Sequence, residues 1–156
     1  MDYYSRIADG YDELHGSEQI AKLELISEGV KGKGLVLDVG SGTGISRSFF
    51  KNVVQLDPSL ALLQKSSGMR VCGVAEFLPF KDHVFDVVIS VTSLHHVGID
   101  KAVSEVARVS KPNASFAFSI FKRSSNFDKI VSSLKSRFEL NEKDSEKDLI
   151  LFKHVE

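Results

Sequence analysis

The sequence predicts an α/β fold, a doubly wound and mostly parallel sheet in one domain of 156 residues. Three observations predict it. Apolar runs of strand length alternate with segments of helical period along most of the chain. The first such strand, Leu35 to Val39, runs straight into three glycines spaced two apart, Gly40, Gly42 and Gly44. The run Phe85 to Val91 is apolar at nearly every position, as expected of a central parallel strand covered on both faces.

The elements follow in order. Ser17 to Val30 carries Ile20, Leu23, Ile26 and Val30 at helical spacing, with Ser17 as its expected N-cap and Gly32 and Gly34 as its end. After the strand Leu35 to Val39, Ile45 to Lys51 is expected as a helix whose N-terminus faces the glycine loop. Val53 to Leu56 is a second strand, ending at Asp57. Pro58 suits the first turn of a following helix with Leu60, Leu62 and Leu63 on its apolar face. Met69 to Val74 is a third strand, which makes Cys72 an expected core residue. A loop around Leu78-Pro79-Phe80 leads to the fourth strand, Phe85 to Val91. The helix Lys101 to Ser110 buries Ala102, Val103, Val106, Ala107 and Val109 and is closed by Pro112. Phe116 to Phe121 is the fifth strand and Phe127 to Arg137 the last helix. Phe138 to Leu140 and Leu149 to Phe152 are the final strands, with polar Asn141 to Asp148 as a hairpin connection. The sheet is therefore expected to be parallel apart from its last strand.

Composition excludes more than it selects. The apolar fraction is 42% and the charged fraction 26%, ordinary for a globular domain. A net charge of −1 leaves no global footprint for nucleic acid. Locally, five basic residues and one acid fall between Phe121 and Arg137. The single cysteine rules out an internal disulfide and favours a reducing, cytoplasmic setting. No apolar run reaches ~20 residues, and the N-terminus is acidic and aromatic, so neither a membrane span nor a signal peptide is expected.

Ligands of doubly wound sheets bind beyond the carboxyl ends of the strands, beside the first one. Asp38, the glycine loop, Asp57, Glu76 and Thr92 to Val97 all fall at that edge. The spacing is G-x-G-x-G, not the G-x-G-x-x-G that receives a pyrophosphate. An acid two residues before the first glycine repels phosphate and suits a ligand with an ammonium or sulfonium group.

With these residues the chain resembles the class I S-adenosylmethionine-dependent methyltransferases, nearest to the small ubiquinone/menaquinone-biosynthesis type. The resemblance runs from Tyr4 to about Phe121. Val36 to Gly44 looks like motif I, Gln55 to Ser59 like the ribose-binding segment, Gly73 to Phe80 like the adenine loop, and Phe85 to Ser90 with Ser93 to Val97 like the signature after strand four. The opening Ala8-Asp9-Gly10-Tyr11-Asp12 is similar to the family's start. The resemblance implies a Rossmann-like methyltransferase fold of seven strands in the order 3-2-1-4-5-7-6, the last antiparallel. Residues 1–32 would form a lid and helix, 33–121 the cofactor-binding core, and 122–156 a C-terminal helix and hairpin. It implies S-adenosyl-L-methionine as cofactor, S-adenosyl-L-homocysteine as product, and contacts from Asp38, Gly40, Ser41, Gly42, Gly44, Asp57, Pro58, Ala75, Glu76, Ser90 and Tyr11. One departure is Val74, where family members usually carry an acid facing the adenine amine; here a backbone carbonyl or Glu76 would have to serve.

Several residues also carry plainer explanations. Asp57 suits a helix N-cap, Glu76 a solvated loop acid, and Asp86 a turn-holding role. His95 and His96 sit where the methyl acceptor must come and are the candidate proton-transfer residues, but the same pair can simply shape the pocket. No third ligand lies near them, so no metal site is expected. Tyr4 and Tyr11 can cover the methionine end or pack the first helix. The pocket lacks the usual roofing insertions. Either Tyr3 to His15 is the whole roof, or a second subunit (a homodimer partner or an adaptor) completes it, or the acceptor is large. Lys122, Arg123, Lys129, Lys135 and Arg137 would guide an RNA acceptor or form a solvated face. A small-molecule acceptor is favoured, with an RNA or protein methyltransferase and a non-catalytic nucleoside-binding module as the alternatives.

Overall fold

The computed structural model describes residues 11–30 and 34–153. The chain runs α1 (Tyr11–Gly29), β1 (Val36–Val39), a 3-10 turn (Ile45–Ser48), β2 (Val53–Asp57), α2 (Leu60–Leu63), β3 (Met69–Cys72) and β4 (Phe85–Val91). A second 3-10 turn (Leu94–His96), α3 (Ile99–Val109), β5 (Ser110–Phe121), α4 (Phe127–Arg137), β6 (Asn141–Asp144) and β7 (Asp148–Lys153) complete it. The seven strands lie in the order β3-β2-β1-β4-β5-β7-β6. All neighbours from β3 to β5 pair parallel, and β7 runs antiparallel to both β5 and β6. This is the doubly wound arrangement expected.

Alternation along the strands builds two layers. Val36, Val87, Ile89 and Val91 face α1 and pack with its Leu23 and Ile26 and with Val30 just beyond it. Leu37, Val39 and Val88 face the other way, in the cluster that holds Val103 and Val106 of α3 and Ile130 and Leu134 of α4. The same parity fixes two acids. Asp38 pairs with Gln55 across β1 and β2, so Asp57, two residues beyond Gln55, projects from the same face as Asp38. Register alone brings the carboxylates to one side of the carboxyl edge.

Several element boundaries differ from expectation, each for a local reason. α1 extends back to Tyr11, so Ser17 is an exposed mid-helix residue and not the N-cap; a single interior glycine such as Gly16 costs only about 1 kcal/mol and does not break it. Ile45 to Lys51 yields only the 3-10 turn: it is rich in serine and phenylalanine, poor helix formers, and the Ser46 hydroxyl is bound to Asp38. Ser59, not Pro58 or Asp57, caps α2, accepting from the Leu62 N–H at 3.3 Å. Pro112 does not close a helix: α3 ends at Val109, and Pro112 sits in an irregular stretch at the start of β5, where the register with β4 jumps and no ladder donor is needed.

The two sheet edges also correct the sequence expectation. β3 is mostly exposed, so Cys72 is a surface residue on an edge strand and not a core one. At the other edge, β6 occupies the segment expected as a hairpin connection, and Phe138 to Leu140 precedes it. Every β6 residue is exposed, and its Asp144 and Glu142 pair with Lys122 and Lys135. A charged, solvated edge of this kind resists pairing with another chain. Asp86 is structural, as its plainer explanation held: it accepts the Leu35 N–H at 2.8 Å and Lys111 at 2.9 Å.

Ile89 is fully buried at the centre of the sheet, paired with Asp38 on one side and Ala117 on the other. Ile89→Ala is expected to lower stability by about 2–5 kcal/mol, read from the urea midpoint with the slope unchanged.

Candidate functional site

The glycine loop is pinned before it is available to any ligand. The N–H groups of Gly40 and Ser41 both donate to the Leu56 carbonyl, at 2.8 and 3.0 Å. Gly40 has φ +78, and a Cβ there would lie 2.3 Å from the Ser93 hydroxyl oxygen. Gly44 has φ +83, with a Cβ position 2.1 Å from both the Gln55 Oε1 and the Ser66 Oγ. Glycine is therefore required twice over, by backbone angle and by crowding. The loop can approach the segment after β4 only because side chains are missing.

Asp57 reaches back into this loop. Its Oδ2 accepts the Gly42 N–H at 2.9 Å and its Oδ1 accepts the Ser59 N–H at 2.8 Å. A carboxylate oxygen accepts more than one hydrogen bond, so holding the loop and accepting from a ligand hydroxyl are compatible. Asp38 is buried. Its Oδ2 accepts the Ser46 hydroxyl at 2.5 Å, while its Oδ1 has no partner. Burial raises its pKa from the ordinary carboxylate range to about 7, with Ser46 pulling down and the charge of Asp57 adding to the rise. Asp38, Ser41, Ser46 and Gln19 surround a small cleft beside Gly40, and the Ser41 hydroxyl is also without a partner there.

Two cavities meet at this loop, sharing Gly40, Asp57 and Ser93. The larger, of about 390 Å³, is mostly apolar and lies over Leu56, Pro58, Val74, Ala75, Glu76, His96 and Val97. The second, of about 290 Å³, opens between α1, the end of β4 and β7, with Lys22, Thr92, His95 and Asp148 among its walls. At Val74, the position of the missing acid, the wall is apolar. Glu76 lies close by: its Oε2 is 3.4 Å from the Gly98 N–H, and its Oε1 is buried and has no partner among the described residues. The loop bearing these residues is fastened from α3. Glu105 accepts the Leu78 N–H at 2.8 Å, and Arg108 donates to the carbonyls of Leu78 and Phe80 at 2.9 and 2.8 Å.

The two histidines part company. Their rings are in contact, 4.0 Å between centroids, yet His96 lines the larger cavity and His95 the smaller. Burial and the neighbouring His96 push His95 down to about 4, so its ring is neutral at physiological pH.

Of the residues singled out from sequence, Asp38, Gly40 and Ser41 line the small cleft, and Asp57, Pro58, Ala75 and Glu76 line the large cavity. Gly42 and Gly44 shape the loop. Ser90 lines neither cavity: it is fully buried and donates to the Val39 carbonyl at 2.8 Å. Tyr3, Tyr4 and the rest of the expected roof up to residue 10 lie outside the described residues, as do the side chains of residues 11–15, Tyr11 among them. Among the described residues no cluster of three metal-ligating side chains occurs. Thr92 falls in the segment the sequence placed at this edge, whereas its neighbours Lys22 and Asp148 were invisible to sequence reasoning because they come from two distant elements.

Residues 37–118, just over half of the chain, match the family model described as "Methyltransferase domain". The chain is 36% identical over 126 residues to the uncharacterized protein MJ1252 of Methanocaldococcus jannaschii, covering 76% of this chain and 50% of that protein. It is 36% identical over 96 residues to the demethylmenaquinone methyltransferase of Renibacterium salmoninarum, covering 55% of this chain and 40% of that enzyme. It thus spans half or less of the length of these relatives. A chain from the complex of the Haloferax volcanii Trm112 methyltransferase activator with its methyltransferase shares the fold, with a TM-score of 0.78, 17% identity, and coverage of 92% of this chain and 79% of that one. The motifs around the glycine loop, the strand order and the family match agree: this chain belongs to the class I S-adenosylmethionine-dependent methyltransferases.

Proposed function

We propose that the chain binds S-adenosylmethionine across the glycine loop and directs its methyl group to a small-molecule acceptor held in the cavity beside β7. The observation that carries this is the placement of Asp38 and Asp57 on one face of adjacent strands, with cavities opening on either side of the loop between them. The groups present fit the cofactor. Among the described residues, Asp38 offers a buried, unpartnered oxygen to an ammonium and Glu76 one to the adenine amine that Val74 cannot meet, while the Asp57 carboxylate can accept from the ribose hydroxyls.

When bound, S-adenosylmethionine supplies a methyl group activated by its sulfonium centre. The protein's part is to align donor and acceptor and exclude water. Gly40 and Ser93 bring the loop and the end of β4 together where the two cavities join. Neutral His95, on the acceptor side, is suited to orienting an acceptor by hydrogen bonding; a pKa near 4 makes it a weak proton acceptor. A small acceptor is favoured over RNA because Lys122 and Lys135 are already paired with acids of β6. The match to a chain from a complex with an activator supports a second reading, in which an adaptor subunit completes the roof.

Calorimetry with S-adenosylmethionine tests the assignment. Asp57→Ala is expected to weaken binding by about 1–3 kcal/mol through lost hydrogen bonds to charge, while NAD gives no heat with either protein. An unaltered affinity refutes the ribose role.

The pH dependence follows from Asp38. Its folded pKa is raised, so the empty protein holds a proton that the unfolded chain has already released, and stability falls as pH rises from about 4 to 7. An ammonium placed against Asp38 reverses the preference and expels that proton. Affinity is therefore expected to climb with pH up to about 7 and then level off. Proton release, measured as binding heat in buffers of different ionisation enthalpy, should vanish in Asp38→Asn.

A further inference from the structure

We propose that Lys22, Thr92 and Asp148 form the acceptor-recognition element of this protein, and that it selects an uncharged acceptor bearing a hydroxyl. This inference rests on the methyl-transfer reading above and specifies the acceptor for the same site.

The cluster is assembled from three elements. Lys22 on α1 donates to the Thr92 hydroxyl at 2.9 Å and lies 3.1 Å from the Asp148 Oδ2. The Thr92 hydroxyl donates to the same oxygen at 2.8 Å. Asp148, at the start of β7, is fully buried, yet its Oδ1 has no partner among the described residues. A buried carboxylate with an unused oxygen is costly unless a ligand completes it. All three residues line the 290 Å³ cavity that joins the glycine loop at Gly40 and Asp57.

The backbone points the same way. Thr92 has φ +51, a conformation rare and strained for a β-branched residue. It is kept there by Ser119, whose carbonyl and hydroxyl oxygens both receive the Thr92 N–H, at 3.1 and 2.9 Å. A staple between α1 and β7 needs neither this strain nor a free oxygen. Both are accounted for if Thr92 turns the Asp148 carboxylate to face an incoming group.

Charge decides the kind of donor. Lys22 already balances Asp148, and His95 across the cavity is uncharged at neutral pH. An ammonium entering beside Lys22 meets like charge in a poorly solvated space, whereas a hydroxyl donates to the Asp148 Oδ1 without changing the balance. A carboxylate has no proton to give it.

The test uses three isosteric probes, benzyl alcohol, benzylamine and benzoate, titrated by NMR into the protein saturated with S-adenosylhomocysteine. Benzyl alcohol is expected to bind, with the Thr92 and Asp148 amides shifting, and to outcompete both charged probes by about tenfold or more. Asp148→Asn should weaken benzyl alcohol by about fivefold or more while S-adenosylhomocysteine binding stays the same. Lys22→Met leaves the carboxylate unbalanced and should reverse the preference toward benzylamine, which keeps the proposal testable if Asp148→Asn does not fold. Absence of benzyl alcohol binding, an equal response in Asp148→Asn, or an unchanged preference in Lys22→Met overturns it. Failure of S-adenosylhomocysteine to bind the unaltered protein instead overturns the methyl-transfer reading itself.

Discussion

Everything at the carboxyl edge depends on the Asp38–Gln55 register between β1 and β2. A slip of one residue would turn one acid into the opposite layer, among Leu37, Val39 and Val88, where an unpaired carboxylate is prohibitive. In the observed register the acids share a face, and the charge of Asp57 adds to the cost of ionising Asp38. The fold answers with hydrogen bonds: Ser46 to Asp38, and the Gly42 and Ser59 N–H groups to Asp57. One oxygen of Asp38 is left over. That unmet polarity, among the described residues, distinguishes this edge from a capped turn.

Strongly patterned elements were legible from the chain alone. Phe85–Val91 and Phe127–Arg137 appear with the expected bounds, because unbroken apolarity in one and helical period in the other leave few alternatives. Asp38, Asp57 and the glycines were legible because each ends or follows an apolar strand. β6 was missed because an edge strand exposed at every position has no alternation to display. Pro112 misled because a proline after a helix normally marks its end, whereas here a register irregularity absorbs it inside a strand. Thr92 was legible as part of the segment after β4, but Lys22 and Asp148 could not be found by spacing, since α1 and β7 become its neighbours only through the strand order.

The loop from Gly73 to Phe80 departs from the pattern it resembles at Val74, with an acid close by. Val74 makes the cavity wall apolar, but Glu76 is held close by Gly98, and Arg108 and Glu105 hold the loop's carbonyls and the Leu78 N–H from α3. The loop's position is set by a helix that never touches the ligand space. Rigidity there comes from charge-assisted bonds to backbone, which are stronger than neutral ones.

The turn at Leu94–His96 has a further implication. Leu94 is anchored in the core, while the rings of His95 and His96 touch one another and look into different chambers. So short a segment cannot pivot on its anchor without displacing both imidazoles. A shift of this turn on occupation of one chamber would be felt in the other, and linkage would make that influence mutual. Donor and acceptor would then bind as a cooperating pair, and departure of one spent partner would loosen the grip on its companion.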